Sequence, residues 1–306
     1  MLRRLIFLAL AAAAASTLTL TPPPAAAAAT PARAEAPAPT RFSVTVEGKG
    51  PDLILIPGLM SGREVWDDAV ASLGGKYRIH RLKLSGFAGE PGDGNKEGAI
   101  VDGVVEQLDA YIKANGLKRP AIAGHSMGGL TAMLLAARHP ESVGRVMVVD
   151  ALPFYSLLFG PDATAESVAP QAAAFRDSVV AMDEAAWKAG QPRTAATLVK
   201  TESARGRVIA DAEASDRPVA ARAIYEVMTT DARPLLPRIE APLTIVYATN
   251  EFAGEAMVVP LYRAAYAGAP KAKLVQVPDS YHFIMYDQPE RFRALLAEFL
   301  AGGTAQ

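Results

Sequence analysis

Hydrophobic and polar positions along the chain alternate between two periods. Residues 41–47 alternate polar and apolar, which predicts an antiparallel edge strand ending at Gly48-Lys49-Gly50. Short apolar, β-branched runs follow at residues 52–56, 77–84, 121–124, 145–150, 243–248 and 273–277. Their length and flanking glycines and prolines suit strands buried on both faces. Between them the spacing lengthens to that of helices: Val101, Val104, Val105, Leu108 and Ile112 share one stripe, as do Leu130, Met133, Leu134 and Ala137. Strand following helix in this way predicts an α/β fold, with a mostly parallel central sheet covered by helices on both faces. Residues 151–234 break the rhythm. A connection of about 85 residues is too long for an ordinary crossover, and its alanine-rich, helical pattern predicts a cap inserted over the sheet.

One junction carries chemistry. The run Ala121-Ile122-Ala123 enters Gly124-His125-Ser126-Met127-Gly128-Gly129, and a helical stripe leaves it. This is the Gly-x-Ser-x-Gly turn that presents a nucleophilic serine. Its glycines stand where a side chain would collide as the backbone turns. The helix opening at Met127 directs its amide and positive end at the reacting centre, half of an oxyanion hole. Upstream, residues 52–56 break at Pro57-Gly58-Leu59, a loop free of bulky polar groups. Downstream, the loop Asp279-Ser280-Tyr281-His282-Phe283 places a histidine just before the closing helix.

From Phe42 to Leu300 the chain resembles the cap-bearing, single-domain branch of the α/β-hydrolase superfamily. The resemblance is carried by Ile56-Pro57-Gly58-Leu59, by Gly124 to Gly129, and by His282-Phe283 followed by Asp287-Gln288-Pro289-Glu290-Arg291-Phe292. It implies a core of residues 41–150 and 235–306, a helical cap of residues 151–234, and a Ser-His-acid triad. The family loop often begins His-Gly, whereas this chain has Pro57-Gly58; the Leu59 amide can still donate beside that of Met127. His282 is the expected base, since it combines a strand-end loop with the required order after Ser126. His80 and His139 read as structural, and His125 as a packing or pocket residue.

Two carboxylates compete for the third place. Glu251 follows residues 243–248, where most relatives place their acid, and is favoured; Asp150, where a minority of cap-bearing relatives place theirs, is the alternative. In the cap, Phe154, Tyr155 and Leu158 are candidate walls of the substrate pocket, with Phe283 beside the histidine. The expected reaction is hydrolysis of a small or medium apolar carboxylic ester through an acyl-enzyme. Amide or carbon–carbon bond hydrolysis and perhydrolysis use the same triad, and a non-catalytic ligand-binding protein could retain the pocket.

Composition narrows the remaining choices. With a net charge of −1 and no dense basic cluster, nucleic acid is not an expected partner. Scattered histidines without a His-Glu-x-x-His pattern, and no cysteine, predict neither metal nor cofactor. Gly92-Asp93-Gly94-Asn95 is glycine-rich, but no strand feeds it, so it reads as a loop. Residues 1–40 form a separate expectation. Met1-Leu2-Arg3-Arg4 is a positive start, Leu5 to Leu10 and the alanines after them are apolar, and an Ala/Pro-rich stretch to Pro39 follows. That order predicts a secretory signal and tether, hence a periplasmic or secreted protein with no stable membrane span after processing. An uncleaved N-terminal anchor is the alternative.

Overall fold

The computed structural model describes residues 38–302, so the signal and most of the tether expected at residues 1–40 lie outside the described residues. The described chain builds a seven-stranded sheet from β1 (Phe42–Glu47), β2 (Asp52–Ile56), β3 (Arg78–Leu84), β4 (Ala121–His125), β5 (Arg145–Val149), β6 (Leu243–Thr249) and β7 (Lys273–Pro278). The order across it is β1-β3-β2-β4-β5-β6-β7; β1 pairs antiparallel with β3, and the other neighbours are parallel.

The helices of the fold are α1 (Asp67–Ser72), α2 (Ile100–Ala114), α3 (Met127–Arg138), α4 (Ala165–Ala181), α5 (Glu184–Leu198), α6 (Glu202–Glu213), α7 (Arg217–Thr229), α8 (Glu255–Ala265), α9 (Ile284–Asp287) and α10 (Pro289–Ala301). Each strand feeds two cores because successive side chains face opposite ways. On β2, Ile54 and Ile56 join Val104, Leu108, Met133 and Tyr262 under α2, α3 and α8. Leu53 and Leu55 join Trp66, Phe292 and Leu296 under α1 and α10. A central helix must be apolar all round, and α3 is: Met127 to Ala137 are all buried. Helix α2 shows the complementary pattern, burying Val101, Val104, Val105, Leu108 and Ile112 while Asp102 and Glu106 meet solvent.

Between β5 and β6 the chain leaves the sheet and builds α4 to α7, an insertion with the place and helical content of a cap. It is fastened to the core by polar bonds. Glu226 of α7 accepts from the Ile100 and Val101 amides at 2.8 Å, satisfying the open N-terminus of α2. Asp287, just after the expected histidine, accepts from Lys200 and Thr201, between α5 and α6, at 3.1 and 2.8 Å, and from Tyr281 at 2.9 Å.

What the topology places matters most for function. Strands β2 and β4 are neighbours, but from β2 the chain steps to β3 on one side, whereas from β4 it proceeds through β5, β6 and β7 on the other. A crevice opens at such a reversal, outside the carboxyl ends of the strands. Left-handed backbone gathers along the same edge. Met60 after β2, Ala88 after β3, Ser126 after β4, Asp150 after β5 and Asp279 after β7 all have positive φ, between 48° and 58°. Non-glycine residues adopt that conformation only where the surroundings enforce it, typically at functional sites.

Candidate active site

Ser126 stands between β4 and α3 with φ 53° and ψ −122°. Its amide donates to Val149 O at 2.9 Å, so sheet pairing holds the turn until the last moment. Tightness explains both glycines. A Cβ on Gly124 would run into the Gly128 carbonyl, and one on Gly128 into the Ile56 and Pro57 carbonyls. The loop after β2 is equally close: a Cβ on Gly58 would come within 3.1 Å of the Ser126 Cβ. Leu59 therefore follows a residue packed against the serine turn. On the other side Met127 opens α3, and an amide in the first turn has no carbonyl one turn earlier to bond. Met127 thus follows the serine directly, and Leu59 follows the glycine packed against it.

His282 lies in the loop after β7, and its Nδ1 is 2.7 Å from Asp150 Oδ2. The carboxylate favoured from sequence, Glu251, is not the one that meets it. Asp150 is the first residue beyond β5, and its positive φ turns the side chain across the end of β6 toward the histidine loop. There Oδ1 accepts from the Ala248 amide at 2.9 Å, with the Tyr262 hydroxyl at 3.4 Å. Burial and the nearby Asp150 charge hold the Tyr262 phenol well above its usual range, so it stays a donor. Glu251 lies farther out and is half-exposed; it accepts from the Tyr281 hydroxyl at 2.7 Å and pairs with Lys200 at 3.3 Å. Bonds from its own amide and from Tyr281 keep its carboxyl below the usual range. Its place is a surface tie.

His125 adjoins the serine yet turns inward. It is buried, and its Nε2 is 3.0 Å from the His282 carbonyl, which makes that nitrogen the donor. Its Nδ1 is buried without a hydrogen-bond partner. Burial, reinforced by the neighbouring His282, pushes its pKa well below the ordinary histidine value. A neutral His125 braces the His282 backbone without opposing a positive charge on that ring.

A cavity of about 180 Å³ opens at the serine, and Ser126, Met127, Asp150 and His282 all line it. Leu130, Leu152, Val227, Val258 and Leu261 make the rest of the wall largely apolar. Of the aromatic and aliphatic wall residues expected from sequence, Tyr155 and Leu158 line the cavity. Phe154 and Phe283 do not. Phe154 is wholly buried in the core with the Arg233 guanidinium 4.9 Å from its ring centre. Phe283 packs beneath the site against His125 and Tyr286, at centroid distances of 4.7 and 5.6 Å. Phe154 was read from an apolar run and Phe283 from its place beside the histidine, and neither signal reveals the side of a loop that faces a core.

Two residues of the site had weak or no sequence signal. Tyr262 looks like one more apolar position of α8 until its hydroxyl is seen beside Asp150. Asn250 lines the cavity and ties its two neighbouring loops: Oδ1 accepts from Phe252 and Ala253 at 2.9 Å, and Nδ2 donates to Ser280 O at 3.1 Å.

A second grouping of serine, histidine and carboxylate sits where α2 meets the end of α3. Ser142 Oγ donates to Asp109 Oδ1 at 2.5 Å, while His139 Nδ1 is 3.5 Å from Asp109 Oδ2. The hydroxyl is thus tied to the acid rather than offered to the imidazole, and none of these residues lines the cavity. Asp109, His139 and Glu141 could also bring ligand atoms together around a metal ion, but the Lys113 ammonium stands 2.7 Å from Asp109 and 3.1 Å from Glu141. Among the described residues, no helix is long and apolar enough to cross a membrane.

Comparison with known proteins agrees with this geometry. Residues 53–295 match the Alpha/beta hydrolase family, a span that holds the sheet from β2 onward, the inserted helices, Ser126, Asp150 and His282. The chain belongs to this family. Among its relatives is the pimeloyl-acyl-carrier-protein methyl ester esterase of Aromatoleum aromaticum, 27% identical over 264 residues, which cover 82% of this chain and 99% of the relative. The enzyme of that name from Aeromonas hydrophila is 34% identical over 115 residues, only 37% of this chain and 43% of the relative. Solved structures share the family fold at lower identity. The enol-lactonase of Burkholderia xenovorans LB400 superposes with a TM-score of 0.67 at 19% identity, covering 86% of this chain and 97% of the other. A thermophilic esterase of Thermogutta terrifontis gives 0.69 at 18% identity, covering 85% and 93%.

The competing carboxylates give a ranked expectation. Asp150→Asn leaves an uncharged group facing His282 and lowers kcat by about 10³- to 10⁴-fold, because the amide can neither fix the tautomer nor stabilise an imidazolium. Glu251→Gln removes one exposed ion pair and changes kcat by no more than about threefold. Steady-state kinetics of the two purified variants check the order, and a reversed order would return the acid's role to Glu251.

Proposed function

We propose that this protein is a serine hydrolase that cleaves uncharged carboxylic esters of small or medium apolar compounds through an acyl-enzyme. The observation that carries the reading is the Asp150–His282 bond of 2.7 Å at the wall of the cavity that Ser126 also lines. Asp150 holds the Nδ1 proton of His282, leaving Nε2 as the basic nitrogen. His282 takes the Ser126 hydroxyl proton as Oγ bonds to the ester carbonyl carbon. The carbonyl oxygen becomes an oxyanion, received by the Leu59 and Met127 amides. As the bond to the alkoxy oxygen breaks, His282 gives its proton to that oxygen and the alcohol leaves. Water then repeats the sequence on the acyl-serine, releasing the acid and restoring Ser126.

The wall supports the substrate class. Apart from the reacting residues, its polar side chains are Tyr155, Asn250, Tyr262 and Tyr281, with no lysine, arginine or additional carboxylate to receive a charged substrate. A cavity of about 150 Å³ holds a benzene ring, so about 180 Å³ admits a group of about six or seven heavy atoms. The named esterases among the relatives agree with this chemistry.

A graded series of uncharged p-nitrophenyl esters tests the reading. The expected result is kcat/KM highest for acyl groups of about two to six carbons and falling by at least about tenfold for chains of twelve or more, which overfill the cavity. Ser126→Ala abolishes turnover with unchanged circular dichroism. Turnover by that variant at the wild-type rate would refute the mechanism.

We also infer that the chain is exported. Support comes from the order of Arg3-Arg4, the apolar run from Leu5 and the small-residue stretch around Ala25 to Ala36. Mass spectrometry of protein made in its native host is expected to show a first residue between about position 25 and position 36, in an extracytoplasmic fraction. A cytoplasmic protein retaining Met1 would refute export.

A further inference from the structure

The oxyanion loop is held from the cap. Asp211 lies in α6 of the inserted helices, 8% exposed, and its Oδ2 accepts from the Gly62 amide at 3.0 Å. Gly62 closes the loop that begins at Pro57 and carries Leu59. Within that loop Ser61 N donates to Gly58 O at 3.2 Å and Met60 has φ 53°, so the turn is bent into a conformation its residues do not choose unaided. A buried carboxylate is a costly anchor unless a specific bond repays its desolvation. Burial raises the Asp211 pKa, and the Gly62 amide and the Arg207 guanidinium, 4.0 Å away, partly counter it.

The helix that carries Asp211 is itself locked to the core at its C-terminal end, beside Asp211. Asp211 O accepts from Ser215 Oγ at 2.7 Å, and the same Oγ accepts from the Ala88 amide at 2.9 Å. Gly89 N donates to Ala214 O at 3.0 Å, and Asp216 N to Gly86 O at 2.8 Å. The turn between α6 and α7 is therefore fixed on the loop after β3, and Asp211 reaches from this fixed point to the neighbouring loop after β2.

We propose that Asp211 is a positioning residue of the reaction: through Gly62 it sets the place of the Leu59 amide, so the oxyanion hole is complete only while α6 is seated. The inference rests on the serine-hydrolase reading and adds a residue that touches neither substrate nor reacting atoms. Misplacing one oxyanion donor weakens an interaction made most strongly in the transition state, so the loss falls on kcat rather than on KM. Asp211 is not among the residues lining the cavity, and ground-state binding has no direct need of it.

The test compares Asp211→Ala, Asp211→Asn and Glu226→Ala with wild type on a short-chain ester, with thermal unfolding of each followed in parallel. Asp211→Ala is expected to lower kcat by about ten- to a hundredfold with KM within about twofold. Asp211→Asn keeps an oxygen acceptor for Gly62 and is expected to restore kcat to within about threefold. Glu226→Ala cuts a cap–core bond, to the Ile100 and Val101 amides, that touches neither α6 nor the oxyanion loop; it is expected to lower the unfolding temperature while leaving kcat unchanged. Should Asp211→Ala not fold, Asp211→Glu displaces the carboxylate by one methylene and is expected to show the same fall in kcat at constant KM. A folded Asp211→Ala or Asp211→Glu with kcat within twofold of wild type overturns the inference. So does Asp211→Asn as impaired as Asp211→Ala, or Glu226→Ala losing kcat to the same extent. A wild type inert toward every ester would instead overturn the hydrolase reading, and this inference with it.

Discussion

The close approach of β2's exit to the first turn of α3 is the constraint on which the site depends. Ile56 and Pro57 carbonyls stand where a Gly128 side chain would begin, and Gly128's own carbonyl stands where a Gly124 side chain would begin. With hydrogen at those positions, two strands and a helix converge around one residue. Ser126 is left on the outside of the bend in a backbone conformation that L-residues rarely adopt. The strain is offset by the burial of β4 and α3 on both sides. Filling Gly128 would push the segment that leads into the Leu59 loop away from α3, and filling Gly124 would push the first turn of α3 away from β4.

The other site residues reach this point from separate strand ends, each through a local distortion. Asp150 crosses the end of β6 because its backbone is left-handed, and the Ala248 amide and Tyr262 fix its carboxylate. The His282 loop is gripped from several sides: Asp287 receives the Tyr281 amide, the Phe283 amide donates to Leu198 O at 3.2 Å, and His125 bonds the His282 carbonyl. Two of these grips also involve the inserted helices or the turns between them. The cap therefore does more than cover the cavity; it shares in holding the histidine loop and, through Asp211, the loop opposite. Movement of the cap and the geometry of catalysis are coupled by these few buried polar bonds.

Much of this was legible in the sequence. Runs of β-branched residues bounded by glycine and proline marked the strands, because parallel strands buried on both faces leave continuous apolar stretches. The serine turn was legible from its glycine spacing together with the strand that enters it and the helical stripe that leaves it. The acid was not: offset from a strand end is a one-dimensional measure, and what separates Asp150 from Glu251 is the φ of one residue and the direction it gives a side chain. Phe154 and Phe283 mark another limit. Hydrophobicity states that a residue will be buried, whereas the choice between core and cavity wall depends on what packs behind it. Asp211 had no signal at all, standing among the alanines and charges of α6 as one more polar residue of a helix.

Covalent capture tests the central claim most directly. Incubation with a fluorophosphonate followed by peptide mass mapping is expected to place a single adduct on Ser126 and none on Ser142, because Ser126 lines a cavity together with His282 whereas the Ser142 hydroxyl is tied to Asp109 outside it. A protein that stays unlabelled while folded, or one labelled at Ser142, would contradict the account.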